Sequence, residues 1–240
     1  LVKANNTELE NGFISTRQLW DMFRNINVPA AYVKKYNIGK FKNITKNNAL
    51  FIYAHSKNDA SLQHLYASGL TDKDIEIIGN SLSAQEKEAV IKLWEYYDKI
   101  QWPRIDAVYS EIEGVHLGKE DYYFPIMRLE RVSESYNREL EKELLKRFSL
   151  RQAGVTKGFT KERVSLPESA FSNFDFFGTL LRNHEQVEHY VSFAREVRDV
   201  RKILYNPDVK ASIEQKFGKD YYKVLDKWFK DVSYGGNKAD

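Results

Sequence analysis

The chain has no cysteine among its 240 residues, which excludes disulfides, zinc ribbons, iron–sulfur clusters and thiol catalysis together. That absence leaves the compartment open, although it suits a protein made in a reducing cytosol. No apolar run approaches the ~20 residues that span a bilayer. The opening stretch, Leu1 to Gly12, is polar and Asn-rich, unlike a signal peptide. A surplus of one charge is missing too: 37 basic residues face 34 acidic ones, for a net charge of +3. A dedicated nucleic-acid binder usually carries a larger basic excess, so charge alone points to no partner. No internal repeat of fixed period is present.

Aromatic residues, by contrast, are plentiful. With 14 Phe, 15 Tyr and 4 Trp, the chain has ample surface to bury, which argues against disorder. The apolar positions recur mostly at helical intervals. Leu19, Trp20, Phe23 and Ile26 predict a short amphipathic helix over 16–26, capped by Ser15 or Thr16 and bounded by Pro29. A second short helix is expected over 30–36 and a turn over 43–48, while Ala49 to Tyr53 reads equally as a buried helix or a strand.

Thr71 to Asp74 and Ser83 to Glu86 have the form of capping boxes. The helix after Ser83, with Val90, Leu93, Trp94, Tyr97 and Ile100, is expected to run past a kink at Pro103 through Ile105, Val108 and Ile112, ending at Gly114. Such a rod should be the spine of the fold. Tyr122, Tyr123, Phe124 and Pro125 form an extended aromatic segment. It reads either as a strap tucked between helices or as a partner-binding edge. Further helices are predicted over 133–149, 171–205 (inward stripe Val187, Tyr190, Val191, Ala194, Val197 and Leu204), after Asn206-Pro207-Asp208, and after Gly218. The Gly-, Thr- and Lys-rich stretch 153–167 reads as a loop.

Chemistry-bearing patterns are weak. His184 and His189 flank Glu185 and Glu188 as in a zinc-protease helix, but they stand five residues apart, roughly 140° around the helix. The stretch reads as a polar face, with Glu185 and His189 as an i,i+4 pair, and no metal or other cofactor is expected. No nucleophile elbow, P-loop or dinucleotide turn is present. Glu111, Glu113, Glu120 and Asp121 read as solvated turn acids, and His55, His64 and His116 are isolated. The Arg195, Arg198, Arg201 and Lys202 row, interrupted by Glu196 and Asp199, reads as an exposed mixed-charge face. Lys146, Arg147, Arg151, Lys157, Lys161 and Arg163, interleaved with Phe148 and Phe159, could grip phosphates and stack on bases.

Several pieces then follow in an order that carries a resemblance. They are Gly118-x-x-Asp121-Tyr122-Tyr123-Phe124-Pro125-Ile126-x-Arg128, Gly158-Phe159-Thr160-Lys161-Glu162-Arg163, His189-Tyr190 with Val197-Arg198-Asp199, and Leu204-x-Asn206-Pro207-Asp208-Val209 ahead of Gly218 and Trp228. Over residues 115–234 this succession resembles helical, non-catalytic regions of very large phage and prophage proteins, of the polyvalent or internal virion kind. The resemblance implies a structural or delivery role, a bacterial cytoplasm or phage virion as its place, and no catalytic residue. Its implied partners are other phage or host proteins or further domains of the same polypeptide.

The expectation is thus a mainly α protein, an irregular multi-helix bundle with long kinked helices and one extended aromatic strap. It is read as one helical domain over 1–240, divisible at 1–114 and 115–234 with a flexible tail at 235–240, and as a fragment of a larger protein. Its expected role is non-enzymatic, through protein contacts, with a nucleic-acid-binding module on the basic stretch 146–163 as the alternative.

Overall fold

In the computed structural model of the chain, the structure describes residues 1–126, 171 and 174–233. The expected helix at 133–149, the loop at 153–167, the tail at 235–240 and all six candidate nucleic-acid contacts, Lys146, Arg147, Arg151, Lys157, Lys161 and Arg163, lie outside these residues.

The fold is mainly α. Helix α1 runs over Val2–Phe23, so Ser15 and Thr16 lie inside it and do not cap it. Its inner side is made of small or polar groups, Ala4 and Ser15, before Leu19 and Phe23 enter the core. The expected helix over 16–26 covers only its second half. Helix α2, Val28–Val33, starts on the Asn27 cap with Pro29 in its first turn and stops before Tyr36.

Tyr36 instead belongs to a hairpin of β1, Lys35–Ile38, and β2, Phe41–Thr45, paired antiparallel with an irregular register between Tyr36 and Ile38. Gly39 turns it at φ 57°. The expected turn at 43–48 is therefore half strand and half helix. Helix α3, Lys46–His55, starts there on a box formed by Thr45 and Asn48, which resolves Ala49 to Tyr53 as helical.

Helices α4, Asp59–Ala67, and α5, Asp72–Asn80, follow. Asp74 does complete the box with Thr71, and Glu86 does so with Ser83 at the start of α6, Ala84–Tyr96. The expected rod is continuous. A π-helical segment, Tyr97–Gln101, leads into α7, Trp102–Glu113, and Gly114 ends it in the left-handed conformation. Pro103 has no N–H to give the carbonyl four residues back, and just before it the ladder shifts register: Trp102 N–H bonds to the Tyr97 carbonyl.

Helix α8, Phe176–Leu204, begins on the Asp175 cap, five residues later than the apolar pattern suggests. Helices α9, Pro207–Phe217, and α10, Lys219–Ser233, close the chain, opened by Asn206-Pro207 and separated by Gly218 as expected.

The buried side chains form two apolar clusters. The first gathers Leu19, Phe23, Leu50, Phe51, Leu65, Ile78, Leu93, Phe124, Phe176 and Phe177 around α3. Phe124, fully buried, stacks on Phe176 at 4.9 Å and meets Phe51 edge-on. The aromatic segment is thus a strap anchored in the core, with Tyr123 against Tyr97 and the half-exposed Tyr122 against Trp94. The second cluster gathers Ala4, Ile105, Val108, Ile112, Val187, Tyr190, Val197, Leu204, Tyr222 and Phe229 where α7, α8 and α10 meet. Val187, Tyr190, Ala194, Val197 and Leu204 are buried as the inward stripe predicts.

Candidate functional site: a polar layer between two cores

Three elements, α1, α8 and the α6–π–α7 rod, pass through both clusters. Each carries polar residues where it crosses from one to the other. On α8, Asn183, His184 and Glu188 follow Leu180. On the rod, Gln101 and Arg104 lie between Tyr97 and Ile105. On α1 the polar residues are Ser15 and Thr16.

The layer centres on an ion pair. The Arg104 guanidinium donates to both Glu188 oxygens, at 2.8 and 2.7 Å, and the Glu188 side chain is only 4% exposed. That bidentate geometry is what a desolvated carboxylate requires. The Glu188 hydrogen bonds raise the Arg104 pKa against the opposing effect of burial. The buried Tyr96 side chain stands beside the pair, and its pKa is pushed up to about 12, first by burial and then by the Glu188 charge.

His184 completes the layer. Its Nε2 lies 3.0 Å from Thr16 Oγ1 and 3.4 Å from Ser15 Oγ, while its Nδ1 stands 4.0 Å from Glu188 Oε1. Burial lowers its pKa, the Arg104 charge adds to that, and the Glu188 charge opposes it, so the imidazole is neutral at pH 7. Nearby, the Tyr97 hydroxyl donates to Asn183 Oδ1 at 3.3 Å.

The polar-face reading of 184–189 is therefore overturned, because His184 and Glu188 point inward and are buried. The i,i+4 couple that faces inward is His184 with Glu188. His189 turns elsewhere, to Glu8 Oε1 at 3.1 Å, the Ser233 carbonyl at 3.3 Å and the ring of Phe193. The sequence signal for this site was a His and a Glu four apart on the apolar stripe. Arg104 could not be matched to Glu188 across 84 residues of chain.

Hydroxyl, imidazole and carboxylate in a row invite comparison with a nucleophilic triad. However, 4.0 Å is too long for the His184–Glu188 hydrogen bond, and both Glu188 oxygens are engaged by Arg104. Two cavities among the described residues lie elsewhere. One of about 180 Å³ is lined by Asn27, Tyr36, Lys46, Ser83 and Glu86, and one of about 330 Å³ by Phe41, Ile44, Asn48, Ser68 and Phe174. Among the described residues, no three His, Asp or Glu side chains converge as metal ligands.

The remaining candidates have structural partners. Glu111 pairs with Arg195 and Arg198, and Asp199 with Arg198 and Lys202. Asn58 Nδ2 donates to the Asp121 carbonyl and, more distantly, to Glu120. Asp106 takes the His116 ring and the Leu117 N–H. His55 is buried among Phe51, Phe124 and Phe171.

No protein-family model matches the chain, nor does any of the curated proteins or solved structures compared with it. Among the described residues, no helix is long and apolar enough to cross a membrane.

Proposed function

We propose that the chain is a helical interaction module that works through protein contacts, and that it serves as a non-catalytic portion of a large phage- or prophage-derived polypeptide. The observation that carries the contact reading is α10. One side of it, Tyr222 and Phe229, is buried against α8 and the end of the fold. Its neighbouring side holds Tyr221, Val224 and Trp228, spaced three and four apart and 52%, 68% and 49% exposed. Phe217 of α9 extends the row, with its ring 5.1 Å from that of Tyr221. The described residues cover only half of this helix's apolar arc, and the other half has the spacing that seats a helix in a groove. The phage context rests on the ordered residues quoted above.

Photo-crosslinking tests the reading in cells producing the full polypeptide. A photoreactive residue at Val224 or Trp228 should give discrete protein adducts, and the same residue at exposed Lys99 should give none. Equal yields at all three positions would count against a contact face.

A further inference from the structure

The α1 helix exposes an apolar row that the described residues leave uncovered: Val2 at 78%, Leu9 at 67%, Phe13 at 72% and Trp20 at 65% exposure. At about 100° per residue these four fall within about 20° of one line along the helix. With Asn6 and Thr16 between them, the row advances by four, three, four, three and four residues, the spacing of a coiled-coil seam. It is also palindromic. Val2 and Trp20, Asn6 and Thr16, and Leu9 and Phe13 are each symmetric about position 11.

We propose that this face pairs with the same face of a second copy, antiparallel, about a two-fold axis at residue 11. The inference rests on reading exposed apolar helix faces as contact surfaces, and it names the occupant of one of them. An isologous interface needs a self-complementary patch, and the palindrome supplies one. Each small side chain meets a large one, Val2 with the other copy's Trp20 and Leu9 with its Phe13, so the gap between the helices stays even. Asn6 faces the Thr16 position, where the hydroxyl is already bonded to His184 of its own copy. A parallel pair would set Trp20 against Trp20 and Val2 against Val2, wide at one end and narrow at the other, with the helix dipoles aligned unfavourably. The area is sufficient as well. Four mostly exposed side chains, two of them aromatic, offer on the order of 500 Å² per copy, so a pair buries about the 1,000 Å² that a specific interface needs.

The absence of cysteine makes the test direct. The intact chain should show a concentration-dependent monomer–dimer equilibrium by sedimentation. Phe13→Glu with Trp20→Glu, both on the surface, should raise the dissociation constant at least about a hundredfold while leaving the helical circular dichroism unchanged. Under mild oxidation V2C alone and W20C alone should stay uncrosslinked, and their mixture should give a V2C–W20C heterodimer. A chain that stays monomeric to several hundred micromolar overturns the pairing. So does a dimer indifferent to the Glu substitutions, or crosslinking of V2C with itself. If crosslinks from α10 still reach another protein in those cases, the contact reading stands and only the two-fold pairing has failed.

Discussion

The two apolar clusters are built differently. Around α3 the first is fastened by directional bonds between segments far apart in the chain. Asn47 Nδ2 donates to Asp175 Oδ1 at 3.0 Å, its Oδ1 accepts from Phe177 N–H at 3.1 Å, and Asn48 Nδ2 donates to the Phe174 carbonyl at 2.7 Å. The second packs aliphatic and aromatic side chains of α1, α7, α8 and α10, edged by exposed ion pairs such as Glu111 with Arg195 and Asp226 with Lys230. Exposed pairs contribute little. A buried bond of the second cluster, from the Tyr222 hydroxyl to the Leu204 carbonyl at 3.0 Å, spans only 18 residues, whereas the Asn47 and Asn48 bonds fix α3 against the start of α8 across 126 to 130 residues. Between them the bidentate Arg104–Glu188 pair joins α7 to α8, and its expected role is to hold the two helices in one alignment.

The largest effect should come from the first cluster. Phe176→Ala removes a fully buried ring in contact with Phe23, Phe124 and Phe177, and should cost about 3–5 kcal/mol in chemical denaturation. Val197→Ala in the second cluster should cost less, because fewer buried atoms are removed. A Phe176→Ala loss no larger than that of Val197→Ala would show that the ring's contacts add nothing to the first cluster.

The layer comes next. Arg104→Met leaves the Glu188 carboxylate buried without its partner and should cost toward the lower end of about 3–5 kcal/mol, since Arg104 is 27% exposed. Adding Glu188→Leu should recover most of that loss. A double variant as unstable as the sum of the singles would show that the pair is not what aligns the helices.

The pH dependence is smaller and signed. A histidine with a lowered folded pKa binds its proton more readily when unfolded, so stability is fully present above the unfolded value of about 6.5. It is lost as pH falls from there through the folded value, at no more than about 1.4 kcal/mol per pH unit for one group. His184→Asn should flatten the stability profile across that interval. A profile unchanged by the substitution would remove His184 from the buried, neutral role assigned to it.

Much of this architecture was legible because local chemistry wrote it. The Ser83–Glu86 box, the rod through Pro103, the stop at Gly114 and the inward stripe of α8 are all set by neighbours within a turn or two. The hairpin was missed because Lys35 to Thr45 is dense in Lys and Asn, with Tyr36, Ile38, Phe41 and Ile44 too sparse to announce strands. The first half of α1 was missed because Asn5, Asn6, Asn11 and Gly12, poor helix formers, dilute the helical spacing of Val2, Leu9 and Phe13. The layer escaped because burial of a charged stretch depends on partners far along the chain, Arg104 and Thr16, that no periodicity encodes.

The most local prediction isolates the fastening of the first cluster from everything else. At Gly178 an added Cβ would come within 2.0 Å of Asp175 Oδ2, so Gly178→Ala must displace the carboxylate that caps α8. That carboxylate also accepts from the Tyr32 hydroxyl and from Asn47, and these hydrogen bonds hold its pKa low even though burial raises it. Moving it should cost about 1–2 kcal/mol, the usual worth of a helix cap. Amide exchange in native conditions should accelerate at Thr179 and Leu180, in the first turn of α8, and stay unchanged at Ala194 and Val197, beyond the polar layer. If both regions accelerated together, the two clusters would be one cooperative unit and the layer would be no boundary between them.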